Sequence, residues 1–224
     1  ELRHQTICKL ILQQAMSQLD AYHSGIALAI IVCTEPPSER NVYSLRLSTG
    51  QSTLFGMEFW DQRVSFMGIE SLPGYAVTCG HPVAILDLHE NHFYYPACIL
   101  KPTRSTMAIP ICCPYGVAGC LSICSTDPDY FLPHRQQLLL SYADLLALAF
   151  EPGAFYNLDR LELGLMPVWH LQAPYFANFQ ERLIDILKEA TNLQLVITMK
   201  TANAKVWQQI EKDLLRLACN TSTR

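Results

Sequence analysis

Charge is scarce in this chain: 16% of its 224 residues are Asp, Glu, Lys or Arg against 50% that are hydrophobic, and the formal net charge is -4. A basic field for nucleic acid or for an anionic membrane surface is missing, because such surfaces are recognised through clustered Lys and Arg. No stretch reaches the roughly 18 consecutive apolar residues of a bilayer-spanning helix. No secretory leader precedes the nine cysteines, whose odd number and scatter through apolar runs speak against a disulfide framework. Reduced thiols in a cytoplasmic protein are the expectation. The phosphate and dinucleotide loops G-x-x-x-x-G-K and G-x-G-x-x-G are absent, as is the G-x-S-x-G of serine hydrolases, and no repeat or low-complexity tract occurs. Glu1 opens directly into a helical pattern and the chain stops at Thr221-Ser222-Thr223-Arg224, which reads as a piece of a longer protein.

What is present is enough apolar side chain for an ample core, with so little surface charge that self-association into a homodimer is expected. The densest apolar stretch is Arg104 to Ser125. Two β-prone runs, Thr106 to Cys112 and Val117 to Cys124, flank Cys113-Pro114-Tyr115-Gly116, the sequence form of a hairpin. Strict alternation puts Met107, Ile109 and Ile111 on one face of the first strand. On the second it groups Ala118, Cys120, Ser122 and Cys124 as a small-residue face opposite Val117, Gly119, Leu121 and Ile123. A small-residue face lets something broad pack close. Asp127-Pro128-Asp129 breaks the strand, and His134 to Phe150 reads as a helix with Leu138, Tyr142, Leu145 and Ala149 on one stripe.

Upstream, Leu2 to Leu19 carries Ile7, Leu10, Ile11, Ala15 and Leu19 near the helical period. That stripe suits either a dimer bundle or the chain's own sheet. Ile26 to Val32 reads as a central strand, Val42 to Leu47 as its hairpin partner and Val64 to Ile69 as a third strand. Tyr75 to Cys79 forms a short helix closed by Gly80, Val83 to Leu88 a strand, and His89 to Thr103 a long loop holding His92, Phe93, Tyr94, Tyr95 and Cys98. Such loops line pockets or plug the open end of a domain. After Glu151-Pro152-Gly153 the chain is irregular to Pro174. Phe176 to Leu187 then reads as a helix, Leu193 to Met199 as β-prone, and Val206 to Leu217 as a last helix. Residues 151–224 have balanced charge, which argues against a DNA-reading helix pair.

Gly74 opening a short helix, Gly80-x-Pro82-Val83 entering a strand that ends at Asp87, Ser105 to Ile111, Gly116 to Ile123, Phe131 and a terminal helix together resemble the second half of a GAF domain. The resemblance covers roughly residues 5 to 150. It implies an α/β fold with a central, mostly antiparallel sheet flanked by helices (residues 1–150), followed by a helical extension or a linker to an output domain (151–224). It also implies a sensory module that binds a small molecule or senses redox state and signals to that output. Alternatives within the family are a thiol-dependent reductase of free methionine sulfoxide and a pocketless dimerisation module.

The candidate ligand-binding residues are His92, Phe93, Tyr94, Tyr95, Cys98 and Arg104. Cys98 is also the candidate catalytic thiol, because His89, His92, Lys101 and Arg104 lie near it in sequence and would stabilise a thiolate if the fold brings them close. Pro96-Ala97-Cys98 is similar to a segment of the reductases, but their second reactive cysteine would fall near Gly74-Tyr75, where this chain has none. The signatures of bilin-binding and cyclic-nucleotide GAF domains are not found, so no cofactor is named. Cys112, Cys120 and Cys124 lie in apolar runs without Lys, Arg or His, and are expected to be structural rather than metal-binding.

Overall fold

The computed structural model describes residues 2–21, 24–36, 41–54, 65–90 and 103–221. Six strands, β1 (Ile26–Cys33), β2 (Leu45–Ser52), β3 (Phe66–Met67), β4 (Val83–Ile85), β5 (Ser105–Cys113) and β6 (Gly116–Ser125), form one sheet in the order β3-β2-β1-β6-β5-β4. Every neighbouring pair is antiparallel. The long strands are the runs of Ile, Val, Ala and Cys, and the two longest, β5 and β6, make the expected hairpin across Pro114-Tyr115. The edge strands are shorter than the sequence predicts, β3 being Phe66–Met67 and β4 Val83–Ile85, and β2 runs later than expected, beginning at Leu45, while Val42 makes only an isolated bridge to Leu161.

One face of the sheet is covered by α1 (Leu2–Leu19) and α3 (Pro133–Ala147). Cys8, Ile11, Leu12, Ala15 and Leu19 of α1 lie buried against Ile26, Leu28, Ile30, Met107, Ile109, Leu121 and Ile123. The stripe of α1 is thus spent on its own sheet, leaving Leu10 exposed. On α3 the buried positions are Leu139, Tyr142, Ala143 and Leu146, one step round the helix from the expected stripe, and Leu145 faces solvent. The two helices are tied by a Tyr142 hydroxyl donating to Gln18 (2.9 Å) and by His4, whose ring meets the Ala149 carbonyl at 2.9 Å and Phe150 edge-on.

The other face receives the short helix α2 (Leu72–Cys79), capped by Ser71, whose hydroxyl accepts from Gly74 N at 3.0 Å. Gly80 ends it in the left-handed region at φ 71°.

Alternation along β6 slips once. Ile111 pairs with Gly119 but Cys112 pairs with Val117, so Ala118 is an extra, bulged residue. Val117 and Cys120 therefore face α2, whereas Ala118 joins Leu121 and Ile123 under α1 and α3. The expected grouping of Ala118 with Cys120 holds only from Cys120 onward. The same irregularity leaves Cys112 exposed, which corrects its assignment to the interior.

Beyond Phe150 the chain stays on the domain. Short 3-10 turns at Pro152–Ala154 and Leu158–Arg160 bracket Tyr156, which pairs with Val117 in both directions (2.9 and 3.0 Å). The strap continues with Val42 N to Arg160 O at 2.8 Å, Glu162 N to Val42 O at 3.0 Å, Gly164 N to Tyr43 O at 3.0 Å and Ile69 N to Gly164 O at 3.1 Å. Contact is backbone on backbone: a Cβ on Gly68 would lie 1.9 Å from the Gly164 carbonyl oxygen.

Helices α4 (Trp169–Ala177), α5 (Phe179–Asn192) and α6 (Met199–Thr221) then close over the β3 end of the sheet, burying Phe66 with Met166, Leu183, Ile186, Val206, Ile210 and Leu214. Three polar groups fix this docking, Gln172 and Glu211 buried and Glu70 half-buried. The Gln172 amide of α4 accepts from Phe66 N (2.9 Å) and donates to Phe66 O (2.8 Å), doing for an edge strand what a neighbouring strand would do. Glu70 accepts from Met166 N at 2.9 Å. Glu211 of α6 accepts from the hydroxyls of Ser44 (2.5 Å) and Thr34 (2.8 Å).

The β-prone run Leu193 to Met199 forms no strand. It begins as the C-terminal cap of α5, with Gln194 at φ 54°, Leu195 N bonded to Ala190 O and Gln194 N to Thr191 O. Its side chains Leu193, Leu195, Val196 and Met199 are exposed, because the chain here turns between two helices and meets no strand partner.

Burial raises the Glu211 carboxyl above its ordinary value, with the Ser44 and Thr34 hydroxyls and the Arg46 charge opposing. A carboxyl raised on folding favours the folded state below its unfolded pKa, near 4.5, and that contribution is lost as pH rises through the folded value. Glu211→Gln keeps an acceptor for both hydroxyls and removes the buried charge. The variant is expected to melt higher than the native chain at pH 8, with the difference closing towards pH 5. Paired melting curves at the two pH values check this; an equal difference at both would contradict the assignment.

Candidate functional site

The α2 face of the sheet carries an unusual floor. Opposed residues across four strands share a face, so the ladder reads off its rows directly. Gly50, Ala29, Ser122 and Ala108 form one row, and Ser52, Ala27, Cys124 and Thr106 the next. Every one of these side chains is small. The neighbouring row, Leu47, Ile31, Cys120 and Pro110, is bulkier. Beside it lie Leu72, Ala76 and Val77 of α2, in one cluster with Leu47, Ile31 and Cys120 and also with Ala29 and Ala108, so that α2 reaches over part of the first small row.

Two polar features stand at the far end of the floor. Thr106 donates to Ile123 O at 2.9 Å and meets the Cys124 sulfur at 3.6 Å. Thr103 is also beside Cys124, where its hydroxyl acts on the thiol, and it has no oxygen or nitrogen partner among the described residues. A buried unpaired hydroxyl costs free energy, on the order of 1–3 kcal/mol, and marks a place where an acceptor or donor would be welcome. Ala27 and Cys124 pack with Leu54, the last described residue before segment 55–64.

Among the candidate residues, His92, Phe93, Tyr94, Tyr95 and Cys98 lie in segment 91–102, outside the described residues. The neck of that segment is well defined. Leu88 N donates to Arg104 O at 2.7 Å and Arg104 N to Ser125 O at 2.8 Å. Arg104 Nε reaches Asp87 at 3.2 Å while its terminal nitrogen grips the other carboxylate oxygen, a two-pronged pair. The guanidinium and the His89 amide hold the Asp87 carboxyl below its usual range. Arg104 therefore closes the base of segment 91–102, at the Thr106 and Cys124 end of the floor.

The thiols separate into two groups. Burial pushes Cys8 up to about 11 and Cys33 up to about 12, and raises Cys120 and Cys124 as well. None of these four forms thiolate near neutral pH. Cys112 and Cys219 are exposed. Desolvation also raises the Cys112 thiol, so maleimide labelling of the native chain is expected to modify Cys219 first and Cys112 more slowly, and to leave Cys8, Cys33, Cys120 and Cys124 unmodified until denaturant is added. Mass mapping of labelled peptides checks it, and fast modification of Cys120 would overturn the core described above. Among the described residues no group of three His, Cys, Asp or Glu side chains is placed to hold a metal ion, and no helix is long and apolar enough to cross a membrane.

The sequence signal missed most of this floor. Only its β6 row was legible, yet Ile26-Ala27-Leu28-Ala29-Ile30 alternates small with large, which is the same signal one strand away. Gly50, Ser52 and Thr103 carried no such pattern.

No curated protein matches the chain. Among solved structures it is similar to the type II free methionine-R-sulfoxide reductase from Thermoplasma acidophilum, at 18% identity over 65% of this chain and 93% of that one, with a TM-score of 0.47. It is also similar to the GAF domain of an Acinetobacter phosphoenolpyruvate-protein phosphotransferase (12% identity, 64% and 90% covered, TM-score 0.44). A third is the GAF-B domain of DevS from Mycobacterium smegmatis (17% identity, 64% and 90% covered, TM-score 0.43). The GAF domain family matches residues 3–150, which span α1, the whole sheet and α3. The chain belongs to the GAF domain family.

Proposed function

We propose that residues 1–150 are a sensory module that binds a small molecule on the small-residue floor and passes the event to an output domain beyond the helical extension. The observation that carries this reading is the double row of Gly, Ala, Ser, Thr and Cys across β2, β1, β6 and β5. A sheet needing only to be covered would favour Val, Ile and Leu there, because each buries more apolar area. Small side chains leave depth for a guest, and the Thr103 hydroxyl, which meets the Cys124 thiol but has no oxygen or nitrogen partner among the described residues, offers it a hydrogen bond. His92, Phe93, Tyr94, Tyr95 and Cys98 are proposed as guest contacts, because the described residues flanking their segment, Leu88 and Arg104, meet at the Thr106 and Cys124 end of the floor. A guest preferring one arrangement of the sheet and the terminal helices shifts the population between two states.

The raised thiols favour ligand binding over redox sensing by the core, so the thiol reading rests on Cys98 alone. Leu140, Leu145 and Leu148 of the α3 end, with Leu10 of α1, are exposed and suit a homodimer contact.

A metabolite screen by thermal shift tests the reading. A ligand at about 100 times its Kd adds roughly 2.7 kcal/mol, several degrees in Tm. Ser122→Phe, which fills the floor, is expected to abolish the shift while Cys98→Ser leaves it. If every hit stabilises Ser122→Phe as well as the native chain, the floor is not the site.

A further inference from the structure

Helices α5 and α6 diverge beside Tyr43 and leave a groove of about 590 Å3, within the size range of small-molecule sites. Its floor is apolar: Ile186, Ala190 and Leu193 share one stripe of α5, and Leu195 and Leu215 extend it. Leu193 and Leu195 are more than half exposed, so the groove is open to water at a substantial free-energy cost in uncovered hydrocarbon.

Cations outnumber acids around the groove, three to two. Lys205, Lys212 and Arg216 stand on one stripe of α6, at intervals of seven and four residues, and all three line the groove. None of them has an ion-pair partner among the described residues, although the chain as a whole carries a net charge of -4. Two acids also line it. Glu189 is at the exposed side, and Glu211 meets the groove from beneath, where Oε1 accepts from Ser44 and Thr34.

We infer that this groove binds an amphipathic organic anion, a carboxylate on a hydrocarbon tail, with the tail over Ala190 and Leu195 and the head between Lys212 and Arg216. The site lies between the extension's helices, shares no residue with the small-residue floor, and does not depend on what that floor binds. A ligand here would hold α5 and α6 at one spacing and so bear on the extension.

Calorimetric titration of the full chain with octanoate and with 1-octanol tests it, since the two share a tail and differ in the head. Octanoate is expected to saturate one site, with octanol at least about fivefold weaker. The double variant Lys212→Gln, Arg216→Gln, which changes only exposed side chains, should weaken octanoate by about tenfold, the product of two few-fold ion pairs at a solvated rim, and leave octanol unchanged. Equal affinity for octanoate and octanol would overturn the inference, as would an octanoate affinity that the double variant does not alter. It would also be overturned if octanoate fails to bind and the same variant instead dissociates a dimer, because the groove would then hold a second copy of the chain.

Discussion

A chain ending at Phe150 is expected to lose cooperative unfolding, even though the family match ends there. Removing the rest uncovers Phe66, now 2% exposed, at about 1.5–3 kcal/mol. It strips Leu161 from the cluster that includes Val42, Leu45 and Val117. The backbone groups of Val42, Tyr43, Phe66, Ile69 and Val117 lose partners in the strap and in Gln172, each partner contributing about 0.5–1.5 kcal/mol. The total is comparable with the whole stability of a domain, about 5–15 kcal/mol. A urea titration followed by far-ultraviolet dichroism should show a broad, shallow transition for residues 1–150 and a single sharp one for the full chain. A sharp transition of the short chain at nearly the same midpoint would mean that the extension is only a passenger.

Gly119→Ala is expected to be the most damaging single substitution in the sheet. A Cβ there would lie 2.1 Å from the Ile31 carbonyl oxygen and 2.8 Å from Val32 Cα, both in the adjacent central strand. Neither atom can retreat, because β1 is paired on both sides, to β2 and to β6. The strands must part or the bulge at Ala118 must unwind, which would turn Val117 and Ala118 to the wrong faces. A loss of about 4 kcal/mol or more is expected, a fall in Tm of roughly 10 °C. Gly153→Ala is the control, since nothing lies within 4 Å of a Cβ at that position, and it should melt with the native chain. Equal Tm values for the two variants would refute the register given for β6.

The central sheet was readable because its strands are long and apolar, and the hairpin of β5 and β6 was marked by Pro and Gly as well. The edge strands were placed but drawn too long, 64–69 against Phe66–Met67 and 83–88 against Val83–Ile85, since so few paired residues leave no periodic signal of where a strand ends. The bulge was hidden for a different reason. Gly119 alone looks like any strand glycine, and only the approach of Ile31 shows why it must be one. Leu193 to Met199 misled because β-propensity reports fit to a half-buried pleated surface, and here no neighbouring strand exists to provide one. The docking of the extension rests on Gln172, Glu70 and Glu211, three polar residues in apolar surroundings whose partners lie far away in sequence. Of the candidate site, the β6 part of the floor and the position of the Arg104 neck were legible. The contribution of β1 and β2 needed the strand register.

The central claim is that the small-residue floor holds a guest molecule. Native mass spectrometry of freshly purified full-length chain, beside Ser122→Phe prepared in the same way and with the same metabolite extract added to both, tests it most directly. The account predicts a bound mass of a few hundred daltons on the native chain, released by denaturation and missing from Ser122→Phe. An unliganded native chain after exposure to the extract, or the same adduct on both proteins, would contradict it.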